Sequence, residues 1–153
     1  MRRLLVTLFL LGSLSATFAS DTASGRIIKV LPLLLDLNSH DAISPSLYDR
    51  DAYQVYLRQH TNEISAVRFD VLWKASNIGD TKLKLRVELR STGAAGLPHQ
   101  TMLEQPVTPG FFRRWTSLTL AGTDYKNSGE IIAWRATLWA DDRLLGEQKS
   151  FLW

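Results

Sequence analysis

The side chains that could do chemistry are few in this chain of 153 residues. It has no cysteine, which removes thiol nucleophiles, disulfides and thiolate metal sites together. No Gly-x-Ser-x-Gly elbow and no phosphate-cradling glycine loop occurs. The three histidines are His40, His60 and His99, and no two stand at a His-x-x-x-His spacing. His40-Asp41 and His60 with Glu63 would meet only if the flanks of an intervening helix folded together. The plainer reading is four solvated loop residues. Asp49-x-Asp51 and Asp141-Asp142 carry calcium-ligand letters. The first falls on an expected helix and the second in a tight turn, and neither has the extended ligand loop that calcium requires. No metal and no cofactor is expected.

Tryptophan is the other resource. Three of the five lie in the 25 residues from Gly129 to Trp153. Trp73 and Trp134 fall on the apolar phase of their segments and should be core. Trp115 and Trp139 sit in segments of mixed phase. An exposed indole can stack on a sugar ring, so Trp139, with Arg135 on the same face, and Trp115 are the candidate ligand contacts. Filling a core is the commoner use of aromatic residues. Trp153 could equally latch onto the body of the domain. Lys82, Lys84, Arg86 and Arg90 line one face of one segment. They read as a wet sheet face that discourages edge pairing, or as an anion contact joined by Arg113-Arg114.

The elements that must hold these residues have a period of two. Leu83, Leu85, Val87 and Leu89 alternate with Lys82, Lys84, Arg86, Glu88 and Arg90, as in an antiparallel strand with one face on a core and one in water. Val67, Phe69, Val71 and Trp73 alternate likewise, with Leu72 as the exception, and Asn77-Ile78-Gly79-Asp80 turns between the two runs. Residues 26–38 read as an edge strand, or as one bulged at Pro32. Residues 46–60 read as a helix capped by Ser46, with an apolar stripe of Tyr48, Ala52, Val55 and Tyr56. Residues 91–110 hold three glycines and three prolines and read as a long loop with at most a short strand near Met102 and Leu103. Residues 111–122 are strand again, and Gly122 to Gly129 a polar turn. The C-terminal segment is a hairpin turning at Asp141-Asp142, with a second strand from Leu144 to Trp153. Two registers are open. One sets Leu138 opposite Leu145; the other, one residue slipped, sets Leu138 opposite Gly146 and Trp134 opposite Ser150.

About seven strands with one inserted helix predict a mainly β fold of two packed antiparallel sheets. Gly129, Trp134 and Asp141-Asp142 trace a turn, a long strand with a core aromatic, and a closing hairpin. In this the chain resembles the last strands of bacterial exported immunoglobulin-like and fibronectin type III-like sandwiches, over roughly its last 90 residues. The resemblance implies an immunoglobulin-like sandwich without the cysteine pair of antibody domains, and implies no function. An outer-membrane barrel fits less well. Counting back from Trp153 by twos places Lys149 and Glu147 on the lipid face, where charge is expensive.

Location follows from residues 1–19. Arg2 and Arg3 precede an apolar run from Leu4 to Leu11, and Thr17-Phe18-Ala19 is an acceptable cleavage site, the pattern of a secretory signal peptide. The run is shorter than the roughly 20 residues a membrane span needs, so no span is expected after cleavage. Residues 20–153 then form a single domain. Two of the 18 basic residues leave with the signal and none of the 15 acidic ones, so the formal charge falls from +3 to +1. That is no footprint for nucleic acid. The expectation is a non-enzymatic periplasmic or secreted binding or assembly module of a bacterial envelope, its partner an envelope protein or a glycan. The alternative is a carbohydrate-binding module using exposed tryptophan.

Overall fold

The strictest alternation in the sequence becomes a central strand. In the computed structural model, which describes residues 22–93 and 96–153, Leu83–Ser91 forms β3, and Leu83, Leu85, Val87 and Leu89 are all buried. The expected signal at 1–19 lies outside the described residues. The other strands are β1 (Ser24–Asp36), β2 (Ile64–Ser76), β4 (His99–Val107), β5 (Arg114–Ala121), β6 (Ile131–Ala140) and β7 (Arg143–Lys149). A helix α1 (Leu47–Gln59) stands between β1 and β2, and a short helix α2 (Gly122–Ser128) between β5 and β6.

All pairings are antiparallel, in a three-stranded sheet β1-β2-β5 and a four-stranded sheet β4-β3-β6-β7. The constant-type immunoglobulin plan places strands 1-2-5-4 against 3-6-7. Here β4 has moved from the first sheet to the second, and the rest of the order is kept. The fold is an immunoglobulin-like sandwich.

Its interior is the inward phase of both sheets. Val67, Phe69, Val71 and Trp73 of β2 meet Leu83, Leu85, Val87 and Leu89 of β3, with Leu118, Leu120, Ala136 and Leu138. Trp134 closes on Phe69 edge to face, with ring centroids 6.4 Å apart. Trp73 is 1% exposed, so its indole N–H needs an internal acceptor, and it donates to Thr116 Oγ1 at 2.9 Å. Gly129 sits at φ 66°, ψ −150°, a region that is essentially glycine's alone. A Cβ there would lie 2.7 Å from both Gly93 O and Thr92 Oγ1.

Several expectations are corrected. Residues 91–110 are not mainly loop: His99–Val107 is a full strand whose Leu103 and Val107 pack on the core. It keeps Pro106 because it is an edge, where proline's missing N–H breaks no shared ladder. The polar turn 122–129 is mostly helix α2. The last strand ends at Lys149, and Phe151 lies free in solvent. Pro32 stays in register with Phe69, and the irregularities of β1 fall at Ile27/Lys29 and Leu35/Asp36. Both hairpin registers occur in turn. Ala140 pairs with Arg143 across the two aspartates, then a bulge between Leu138 and Trp139 shifts the ladder to Leu138↔Gly146.

Helix α1 begins where its cap predicts, with Ser46 Oγ accepting from Asp49 N at 3.4 Å, but it presents another face. Tyr48, Ala52, Val55 and Tyr56 are exposed, while Gln54 and Leu57 are buried. Gln54 accepts from Leu34 N at 2.8 Å and donates to Leu34 O at 2.9 Å and Asp41 O at 3.0 Å. Tyr53 donates to Asp36 Oδ2 at 2.8 Å. Burial opposes the charge of Asp36. The amides of His40 and Asn38 and the Tyr53 hydroxyl outweigh it, and the carboxyl lies below its usual range. The same bond, with burial, pushes the Tyr53 hydroxyl up to about 12.

Thr116→Val keeps the shape but orphans the Trp73 indole, and should cost about 1–3 kcal/mol in urea unfolding. Tyr53→Phe should cost about 1.5 kcal/mol at pH 7, since the lost bond goes to a charge. The pH dependence follows from the shifts. A lowered Asp36 stabilises fully above its unfolded value and loses that contribution as pH falls through the folded one, so native stability should decline below about pH 4. A raised Tyr53 stabilises below its unfolded value and loses that contribution as pH climbs toward about 12. In Tyr53→Phe the acid-side decline should be shallower and the Tyr53 part of the alkaline decline absent, by denaturant unfolding at stepped pH.

Candidate functional site

Arg135 and Trp139 point outward from β6, on the face of the four-stranded sheet that also carries Lys84, Arg86, Glu88 and Arg90. The face is internally paired. Arg135 holds Glu88 at 2.7 Å, and Glu104 takes Arg86 at 2.8 Å and Lys84 at 3.5 Å. The Arg86 bond, with the Lys84 charge beside it, keeps the Glu104 carboxyl below its usual range. The Arg86 guanidinium lies 5.4 Å from the Trp139 ring centre, and the indole N–H of Trp139 donates to Thr137 Oγ1 at 2.9 Å. Trp153 folds back as a latch, with Arg90 at 4.1 Å and Arg135 at 5.0 Å from its ring. Cation–π contacts of this kind stabilise an outer face by about 0.5–1 kcal/mol each. The indoles here are engaged with arginines of the same sheet.

Trp115 stands elsewhere. It points outward from β5 on the other sheet, next to Leu72 in the ladder, and is 51% exposed. The two sheets therefore separate Trp115 from Trp139 and Arg135, and the three form no single site. Trp115 has company that the sequence reading missed. Phe111 and Phe112, read as strand, lie in the loop that feeds β5 and are 89% and 75% exposed. Their rings meet edge to face at 5.0 Å. Pro109-Gly110 immediately before them was the available signal, since that pair interrupts a strand.

His40 and His60 have separate local partners. His40 Nδ1 lies 3.6 Å from Asp36. His60 Nδ1 meets Tyr56 O at 2.9 Å, its ring stacked on Tyr56. Glu63 accepts from Tyr56 Oη, and Asp41 pairs with Arg68 at 3.2 Å. Asp70 joins that pair, accepting from Arg68 Nε at 2.9 Å and from Ser117 Oγ at 2.6 Å. Among the described residues no three of His, Asp and Glu are grouped to hold a metal ion.

The sheet edges differ more than the faces. An edge strand presents unpaired N–H and C=O groups, and proteins blunt it with proline, charge, bulges or a cover. On β1 the Gln54 amide takes both backbone groups of Leu34, and Pro32 removes a donor. The start of β1 lies against β7: Arg143 donates to Ala23 O, and a Cβ on Gly146 would come within 2.8 Å of Arg26 Cα. β7 itself is short, bulged, and carries Arg143, Glu147 and Lys149. β4 carries Pro106 and Glu104. β5 reads RWTSLTLA, with no proline, no charge after Arg114 and no bulge in its ladder. Among the described residues its only strand partner is β2.

No protein-family model matches the chain, and no curated protein matches it. Among solved structures it is similar to a protein of Akkermansia muciniphila, with a TM-score of 0.52 at 9% identity, over 84% of this chain and 71% of that one. It is also similar to an immunoglobulin-like protein of Pseudomonas aeruginosa, with a TM-score of 0.35 at 17% identity, over 82% of this chain and 94% of that one. The likeness to the Akkermansia protein is one of fold, and the seven strands in their two sheets make this chain an immunoglobulin-like sandwich.

Proposed function

We propose that this chain is a non-enzymatic, exported binding or assembly module of a bacterial envelope, and that it receives a strand from a protein partner on the free edge of β5. The observation that carries this reading is the contrast among the four sheet edges: among the described residues β5 alone has neither a proline, nor a bulge in its ladder, nor a charge past Arg114. Main-chain hydrogen bonds to such an edge supply affinity, and side-chain pockets supply selectivity. Phe111, Phe112 and Trp115 add exposed aromatic area at the entrance to the same strand, the composition that marks binding surfaces. Export is supported by the signal-like residues 1–19.

The alternative is a carbohydrate-binding module. The half-exposed Trp115 favours it, since an open indole face can stack on a sugar ring.

The test is capture from envelope extract with a photo-crosslinking residue at Thr119. A discrete adduct should form there and not from a probe at Glu147 on β7. Trp115→Lys with Thr119→Lys should weaken capture at least tenfold while leaving unfolding within about 0.5 kcal/mol, as for exposed substitutions. Capture indifferent to these changes would sink the strand-acceptor reading. Indole quenching by glycans that disappears in Trp115→Ala would establish the sugar reading instead.

A further inference from the structure

The two sheets differ in length. β1 and β2 each run 13 residues, whereas β7, the strand nearest β1 across the sandwich, runs only 7. β7 lies against the start of β1, where Leu145 and Gly146 approach Gly25 and Arg26. Farther along, Pro32 and Leu34 still take the inward phase, opposite Phe69 and Val67 in the ladder. Yet Pro32 is exposed and Leu34 only partly buried. Their inner side opens on a cleft of about 750 Å³, with Ile64 and Val67 in its walls and helix α2 and the start of β6 on its other side. That volume is in the range of ligand pockets, roughly 300–1,000 Å³.

The mouth of this cleft is charged. Arg58 from the last turn of α1 and Lys126 from α2 line it, with Glu130 the one acidic group beside them. Both cations are exposed, and among the described residues neither has an acidic partner within ion-pair distance. Five of the nine other described arginines pair with carboxylates or stack on indoles, whereas Arg58 does neither and stands with Lys126 over an apolar slot. Apolar walls select a hydrocarbon portion, and the net positive rim selects an anionic head.

We infer that the cleft binds a single-chain anionic amphiphile, its hydrocarbon chain lying between the sheets along Pro32, Leu34 and Val67 and its carboxylate held by Arg58 and Lys126. This site is separate from β5, and it stands or falls independently of the strand-acceptor reading.

Calorimetric titration of the full chain with sodium dodecanoate below its micelle concentration tests it. Saturable one-to-one binding is expected. Dodecyltrimethylammonium should bind at least tenfold more weakly, and acetate should give no heat of binding. Arg58→Glu with Lys126→Glu changes two exposed side chains and should abolish the preference for the anion. Lys82→Glu with Lys149→Glu makes the same change in net charge on the four-stranded sheet and should leave binding as in the parent. Absence of saturable dodecanoate binding would overturn the assignment. So would equal affinity for the two head groups, or equal effects of the two double variants.

Discussion

A sandwich of two open sheets has four edges, and each edge is a row of backbone donors and acceptors that must find partners or face water. That constraint organises much of what is unusual in this chain. The helix between β1 and β2 serves it directly. Gln54 places its amide where a neighbouring strand would place a peptide group, accepting from one backbone nitrogen and donating to the carbonyl of the same residue. The close approach of β7 to the start of β1 serves it again, and it demands glycine at position 146 because a Cβ would strike the Arg26 backbone. Protection is thus spent unevenly. The strand with neither proline nor bulge follows a loop bearing two exposed phenylalanines, so an undefended backbone edge and exposed apolar surface coincide.

Unequal strand length is the second organising fact, and it is a matter of reach. At about 3.3 Å per residue, β1 spans roughly 43 Å and β7 roughly 23 Å. An overhanging strand keeps its alternation, because its inward phase is set by the ladder to β2 and not by what lies across the sandwich. Inward apolar residues therefore continue past the end of their cover. The chain closes part of this gap with α2, whose Tyr125 packs on the core, and leaves the rest open beneath Arg58 and Lys126.

How much of this was legible depended on whether a feature is encoded by neighbours in sequence or by partners in space. The alternations at 67–73 and 83–89 report local periodicity, and the strands, their inward residues and the two-sheet interior followed from them. The hairpin at Asp141-Asp142 was legible in its turn but not in its ladder. A bulge at the tip lets both registers hold in succession, and no pattern of single-strand polarity announces it. β4 was hidden because an edge strand with one covered face tolerates His99, Gln105 and Pro106, which mask its period. Trp139 and Arg135 were placed correctly on one face, but their engagement with Arg86, Glu88 and Trp153 depends on cross-strand register and a returning chain end. Trp115 could not be separated from them until strand order put β5 in the other sheet.

The misread face of α1 shows which force wins when periodicity and hydrogen bonding disagree. Tyr48, Ala52 and Val55 form the better apolar stripe, and burying the valine would gain about 1.5–3 kcal/mol. Turning that stripe inward would take Gln54 away from β1. Leu34 N, Leu34 O and Asp41 O would then lose their shared partner, at about 1–3 kcal/mol for each group left buried and unpaired. Three such groups together outweigh the valine. Leu57, on the same side as Gln54, is fully buried and recovers much of the forgone hydrophobic gain. The orientation of the helix is therefore decided by the edge of the sheet it covers, and its exposed tyrosines are the consequence.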